Sequence, residues 1–91
     1  MNKVELINEI STKTGLTKKD SGNALDAFMS IVKETLSNDG SVILSGFGKW
    51  ETVTRAERKA HNPKTMEAII VPSKKVPVFK AGLRLKESVN S

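Results

Sequence analysis

The segment that most constrains the fold is residues 55–67, which read RAERKAHNPKTME. It contains five groups able to carry positive charge and no leucine, isoleucine, valine or aromatic residue. Such a segment cannot bury itself against a core, so it must project into solvent or onto a partner. Asn62 and Pro63 at its centre are typical of a turn, and short apolar runs at 50–53 and 68–71 flank it as strands would. The sequence therefore predicts a two-stranded basic arm with a proline at its tip.

The distribution of charge indicates an anionic partner. Residues 1–54 hold six Lys and Arg against seven Asp and Glu, whereas residues 55–91 hold nine against three, which leaves the chain with a net charge of +5. A cationic half of this kind suits nucleic acid or an anionic membrane. With an arm of about twenty residues held away from it, one small domain has few residues left for a core. A second chain would relieve that shortage.

Several classes of function are disfavoured by what the sequence lacks. Without cysteine there is no disulfide framework and no thiolate metal site or nucleophile. The longest aliphatic run, residues 68–71, is too short for a membrane span or a signal peptide, so we expect a cytoplasmic protein. No nucleophile, base and orienting group can be assembled, so we expect neither enzymatic activity nor a cofactor.

His61 is the only histidine and has no second histidine or paired carboxylate to help it hold a metal ion. We therefore expect no metal site. An unperturbed imidazole is mostly neutral at physiological pH, so His61 would be a weaker, titratable cation than an arginine. An anionic partner nearby would favour its charged form.

Two helices are predicted in the first forty residues. Asn2 with Glu5 is typical of a helix start, and apolar residues at helical spacing continue to Gly15, which predicts a first helix over 3–14. Thr17 with Asp20 is a second capping pattern, and the apolar periodicity that follows predicts a helix to about residue 38.

Short strands are predicted after residue 40. Residues 42–44 form the first, and Gly46 and Gly48 then indicate a bulge or a sharp change of direction. A phosphate cradle is the alternative interpretation of this glycine pair, but no GKS or GKT sequence follows it. Phe47, Trp50 and Phe79 are interpreted as core aromatics, since a base-stacking surface would interleave aromatics with the basic residues of the arm.

The strand that returns from the arm contains prolines, which cannot donate to a β-ladder. Pro72 and Pro77 predict an interruption or a sheet edge around residues 72–75 before the strand resumes at 76–79. A short helix then ends the chain. The predicted fold is α+β, with two helices, a three-stranded antiparallel sheet bearing a long protruding β-arm, and a terminal helix. We treat residues 1–91 as a single domain, with a body of residues 1–52 and 76–91 and an arm of residues 53–75.

Several segments together resemble the HU/IHF family of bacterial histone-like DNA-binding proteins, and the match spans the whole chain without detectable gaps. These segments are MNK at the N-terminus with ELI at 5–7, GLTKKD at 15–20, GFG at 46–48, RAERK at 55–59, NPKT at 62–65 and KVPVFKAG at 75–82. The resemblance implies an intertwined homodimer or heterodimer whose helices form a compact body. Two β-arms would embrace double-stranded DNA through the minor groove.

The resemblance also implies roles for individual residues. Pro63 would be the wedge that enters between base pairs and bends the duplex. The arm contacts would come from Arg55, Arg58, Lys59, His61, Asn62, Lys64 and Thr65, with Lys74 and Lys75 on the other strand. Lys80, Arg84 and Lys86 would contact the DNA that crosses the compact body of the dimer, and Lys3 would reach flanking DNA. The dimer core would contain Phe28, Val32, Leu36, Leu44, Phe47, Trp50 and Phe79. A solvated surface charge is the alternative for each single lysine.

The chain departs from the family pattern at three places. Ala60 and His61 stand where the family usually has Gly-Arg, Met66 replaces a glycine, and Leu83 replaces a lysine. Met66 cannot take a positive-φ turn as cheaply as glycine, so a different turn at the tip is expected. Leu83 removes one phosphate contact, which Arg84 would have to supply from another angle.

The sequence leaves other functions open. A nonspecific protein that prefers bent, nicked or distorted DNA is the leading interpretation, and a site-specific IHF-like protein, whose specificity comes from DNA deformability, is the second. RNA binding is also compatible with the charge. A basic module for membranes or acidic proteins is disfavoured, because the chain lacks a basic amphipathic helix with exposed Trp, Phe or Leu, and we expect no membrane partner.

Overall fold

The computed structural model describes residues 1–61, 64 and 67–90. Helix α1 (Lys3–Thr14) has a cap at each end. The side-chain oxygen of Asn2 accepts a hydrogen bond from the N–H of Glu5 at 2.9 Å, and Gly15 follows the helix with a φ of 76° and donates to the carbonyl of Ser11 at 3.0 Å. A left-handed residue at this position is cheapest as glycine, which is why the helix ends there. The predicted first helix over 3–14 is confirmed.

Helix α2 (Lys18–Ser37) starts where the second capping pattern predicts. The hydroxyl of Thr17 accepts a hydrogen bond from the N–H of Asp20 at 3.0 Å. The helix ends one residue before the predicted limit, and Asp39 then takes a φ of 62° while its N–H donates to the carbonyl of Leu36 at 3.1 Å. The last turn of this fully described helix contains no basic residue of its own.

The strands form two separate antiparallel sheets within the described residues. In chain order the strands are β1 (Val42–Leu44), β2 (Gly48–Arg55), β3 (Arg58–His61), β4 (Ala68–Val71) and β5 (Lys74–Ala81). The first sheet has the order β1-β2-β5, and β3 pairs with β4 in the second. The predicted three-stranded antiparallel sheet is thus confirmed.

The glycine pair reverses the chain between β1 and β2. Gly46 has a φ of 80°, and the N–H of Phe47 donates to the carbonyl of Leu44 at 2.9 Å. Strand β5 lies at a sheet edge, as the prolines predict, and the interruption is confined to Pro72 and Ser73. The strand resumes at Lys74 rather than at the predicted residue 76, because β2 extends to Arg55 and offers a partner for each additional residue.

Strands β3 and β4 pair within the segment predicted as the arm, with a register that runs from Arg58 opposite Val71 to His61 opposite Ala68. The run 50–53, expected to flank the arm opposite 68–71, pairs with β5 instead. The predicted tip turn at Asn62 and Pro63, and the replacement of glycine by Met66, lie outside the described residues. Helix α3 (Leu83–Val89) closes the chain. The N–H of Gly82, just before it, donates to the carbonyl of Phe47 at 2.8 Å.

The chain divides into two compact units, Met1–Thr35 and Leu36–Ser91. Among the side chains that the structure describes, Leu36 is the one buried hydrophobic residue, whereas Phe28, Val32 and Trp50 are half-buried. Three other predicted core residues expose 41–47% of their surface, namely Leu44, Phe47 and Phe79. A single copy of the chain therefore leaves much of its apolar surface open to solvent.

Candidate nucleic-acid interface

The pairing of β2 with β5 sorts charged and aromatic residues onto opposite faces of the sheet. Lys49 lies opposite Lys80 and Trp50 lies opposite Phe79 in an unbroken register. Because side chains alternate along a strand, Lys49, Glu51 and Lys80 share one face, and the two aromatic residues share the other. We call the first the charged face, defined by Lys49, Glu51, Lys74 and Lys80.

Glu51 sits between the two lysines of the charged face. Its carboxylate lies 2.8 Å from the Nζ atom of Lys80 and 2.9 Å from that of Lys49. The hydrogen bond from Lys80, followed by that from Lys49, holds the pKa of Glu51 below its ordinary value of 4.5, and the weaker effect of desolvation opposes them. Glu51 is therefore ionised at neutral pH and orders both ammonium groups.

This arrangement predicts a pH effect on stability. A carboxyl group with a lowered pKa in the folded state stabilises the fold above its unfolded-state pKa, and this contribution is lost as the pH falls through the folded value. We expect the melting temperature of Glu51→Gln to fall less than that of the parent when the pH is lowered from about 6 to about 3. Thermal unfolding followed by circular dichroism would measure it.

Glu87→Gln is the charge-matched control, because it removes one carboxylate from α3 and leaves Glu51, Lys49 and Lys80 in place. If the melting temperatures of the parent and of Glu51→Gln fell by the same amount as the pH is lowered, the ion pairs of Glu51 with Lys49 and Lys80 would not stabilise the fold.

The opposite face carries three packed aromatic rings. The centroids of Trp50 and Phe79 are 4.7 Å apart, and Phe47 lies 6.1 Å and 6.0 Å from them, distances typical of interacting aromatic pairs. Gly48 leaves room for this packing, since a Cβ atom at that position would lie 2.4 Å from Phe79. The rings contact each other and do not alternate with cations, which favours a core role over a base-stacking role.

The arm begins at the far end of the β2–β5 ladder. The last two pairs are Thr54 with Lys75 and Arg55 with Lys74, and Arg55 and Lys74 are both exposed. We call these two pairs the arm root. The Nζ atom of Lys75 lies 2.7 Å from a carboxylate oxygen of Asp39 and 3.5 Å from the carbonyl of Ser37. Lys75, which was predicted to contact DNA, therefore binds polar groups at the end of α2.

The remaining predicted site residues fall into three groups. Lys3 of helix α1 forms an ion pair with Asp26 at 2.8 Å. In α3, Lys86 is exposed, and the side chain of Arg84 lies close to Gly46, since a Cβ atom built on that glycine would be 3.1 Å from the Cδ atom of Arg84. The backbone of Arg58, Lys59 and His61 belongs to β3, and Lys64 is exposed in a turn. Asn62, Pro63 and Thr65 lie outside the described residues.

Lys49, Glu51 and Asp39 were not among the predicted site residues. For Lys49 and Glu51, a signal was present in the sequence. They flank Trp50 in a strand, and an inward aromatic places its two neighbours on the outer face. Asp39 has no comparable signal, because its partner is 36 residues away.

Two negative findings concern the described part of the chain. No helix there is both long enough and apolar enough to cross a bilayer. No group of three or more His, Cys, Asp or Glu residues there could hold a metal ion.

Comparison with known proteins identifies the family. The sequence pattern of the family described as bacterial DNA-binding protein matches residues 1–90. The chain belongs to this family. The resemblance indicated by the sequence motifs is therefore confirmed.

Members of the family are similar to the chain along almost its whole length. It is 51% identical over 88 residues to the DNA-binding protein HU of Lactococcus lactis subsp. lactis, with 97% of each chain covered. It is 49% identical over 90 residues to the DNA-binding protein HU of Clostridium pasteurianum, with 99% of each covered.

Solved structures of HU proteins share the fold. An Anabaena HU–DNA cocrystal structure matches with a TM-score of 0.90 and 38% identity, covering 98% of this chain and 97% of the other. HU from Thermotoga maritima matches with a TM-score of 0.69 and 31% identity, covering 98% of each chain.

Proposed function

We propose that the chain is a dimeric, largely sequence-nonspecific DNA-binding and DNA-bending protein that shapes the bacterial nucleoid. The observation that carries the proposal is the placement of the cationic half of the sequence on the charged face, at the arm root and along β3. Phosphate contacts from such a surface supply most of the affinity of nonspecific DNA binding. Membership of a DNA-binding family, and the similarity to an HU protein crystallised with DNA, support the same function.

The arm is proposed to bend the duplex. Residues 53–75 would extend from a body of residues 1–52 and 76–91 and enter the minor groove, where Pro63 would wedge between base pairs. Unstacking a base step costs roughly a few kcal/mol, and the cost is offset when the bent duplex meets more cationic surface. The charged face, with Lys80 on the body and Lys74 at the arm root, would provide that surface.

A second copy of the chain is proposed to complete the body. Leu44, Phe47 and Phe79 are each more than two-fifths exposed in a single copy, and large apolar side chains gain stability when they are removed from water. These residues belong to the predicted dimer core. The exposed apolar surface therefore supports a homodimer with one arm from each copy.

Replacing the wedge tests the bending mechanism. We expect Pro63→Ala to lower the preference for nicked over intact duplex by about tenfold, or roughly 1.4 kcal/mol, because the ring no longer supports an unstacked base step. Affinity for straight duplex should change less, since the phosphate contacts remain. Energy transfer between dyes at the duplex ends reports bending, and competition binding reports the preference.

Pro72→Ala is the matched control, because it removes a proline between β4 and β5 rather than the one predicted for the tip. Equal losses of bending and of straight-duplex affinity in Pro63→Ala would rule out the wedge. A competition series with unrelated duplexes tests sequence preference in the same assay. Affinities that agree within a few-fold support nonspecific binding, whereas one strongly preferred site would favour an IHF-like function.

A further inference from the structure

We propose that Lys75 is a positioning residue that ties the arm root to the end of α2, and that it is not a phosphate ligand. This inference rests on the proposed function, since its consequence is expressed through DNA binding. We call the contact of Lys75 with Asp39 and with the carbonyl of Ser37 the root clamp.

The orientation of Lys75 separates it from the other cations of β5. Residues 74 and 80 of β5 lie on the charged face, and the alternation of side chains places residue 75 on the face that carries Phe79. The register is continuous from Gly48–Ala81 to Arg55–Lys74, so no bulge reverses this order. DNA lying against Lys74 and Lys80 would therefore have Lys75 on the far side of the strand.

The end of α2 is a favourable place for an ammonium group. The last carbonyl groups of a helix lack intrahelical partners and carry partial negative charge, so a cation there is stabilising. The last turn of α2 has no basic residue, and Lys75 supplies the cation from a strand, with its Nζ atom 3.5 Å from the carbonyl of Ser37. The carboxylate of Asp39, 2.7 Å away, adds an ion pair.

Asp39 is itself held in place by the backbone. Its φ of 62° is a left-handed conformation, and its N–H donates to the carbonyl of Leu36 at 3.1 Å. Aspartate and asparagine tolerate this conformation better than most residues. The carboxylate therefore presents Lys75 with a fixed partner, and Asp39→Asn can remove the charge while keeping the turn.

The clamp acts at the place where the arm leaves the sheet. Lys75 pairs with Thr54 one step before the ladder ends at Arg55 and Lys74. Fixing this point limits the directions in which the arm can start, and a pre-organised arm has less conformational freedom to lose when it binds DNA. The clamp therefore strengthens DNA binding without a contact to DNA.

The substitution Asp39→Asn distinguishes the two roles by the sign of its effect. If Lys75 bound phosphate, removal of Asp39 would release it and raise DNA affinity. For a clamp, we expect Asp39→Asn and Lys75→Gln each to lower affinity by about two- to fivefold per arm, the range expected of an exposed ion pair. The double variant should bind no more weakly than Lys75→Gln alone, because both changes break one contact.

The salt dependence of binding gives a second distinction. Lys74→Gln is the matched control on the charged face, and it should reduce the slope of log K against log salt by about one per lost phosphate contact. Lys75→Gln should keep the parent slope. Glu87→Gln controls for the loss of a negative charge and should not lower affinity.

Hydrogen exchange of the DNA-free protein tests the clamp independently of DNA binding. We expect faster exchange at the backbone amides of residues 54–55 and 74–75 in Asp39→Asn and Lys75→Gln than in the parent. The clamp would be overturned by unchanged exchange at these amides in both variants. It would equally be overturned if Asp39→Asn raised the DNA affinity, or if Lys75→Gln reduced the slope of log K against log salt. A parent protein that does not bind DNA would overturn the proposed function instead, with the exchange result still deciding the clamp.

Discussion

Gly48→Ala is expected to lower the free energy of unfolding by about 3 kcal/mol, the upper part of the range for overpacking a close-packed site. A Cβ atom at this position would lie 2.4 Å from the Cζ atom of Phe79 and 2.8 Å from the carbonyl oxygen of Lys80. A shift of Phe79 would disturb its packing against Trp50 and Phe47, and the carbonyl of Lys80 belongs to the backbone of β5 and cannot rotate away as a side chain would. The loss would be a large fraction of the stability of a small domain.

Denaturant unfolding at a fixed protein concentration measures this change, since the stability of a dimer depends on concentration. Gly22→Ala is the matched control. A Cβ atom there would meet only the Cδ1 atom of Ile7, at an ordinary 3.5 Å, and alanine in a helix is favoured over glycine by up to about 1 kcal/mol. Equal unfolding midpoints for Gly48→Ala and the parent would refute the steric argument.

Raising the salt concentration from about 50 to about 200 mM is expected to weaken DNA binding by at least roughly a thousandfold. A dimer that uses three cations from each copy neutralises about six phosphates and releases the corresponding counterions. The arm root and the charged face already offer Arg55, Lys74 and Lys80. Fluorescence anisotropy of a labelled duplex, titrated at several salt concentrations, gives the slope.

Lys19→Gln is the control for this measurement, because it removes a lysine from the half of the sequence that carries no net positive charge. Its slope should equal that of the parent. A parent slope near zero would exclude phosphate contacts as the source of affinity and would remove the basis of the proposed function.

Local signals made the helices and turns predictable. Asn2 and Thr17 cap the two long helices as their spacing to Glu5 and Asp20 indicates, and Gly46 reverses the chain where the glycine pair predicts a change of direction. Each of these features depends on residues a few positions apart. Capping and turn preferences therefore make them predictable from the local sequence.

The charged face and the root clamp could not be predicted in the same way. Lys80 meets Glu51, and Lys75 meets Asp39, only because the register of β2 with β5 and the end of α2 bring distant residues together. A shift of one residue in that register would move every side chain to the opposite face. The sequence showed which residues are basic, whereas the direction in which Lys75 points follows from the strand pairing.

The two edges of the β1-β2-β5 sheet are poor templates for further strands. Strand β1 has only three residues, and β5 carries Pro77 and three lysines. Short, charged or proline-containing edges discourage the pairing of sheets from different molecules. The described sheet therefore offers little opportunity for strand addition, which disfavours aggregation through its edges.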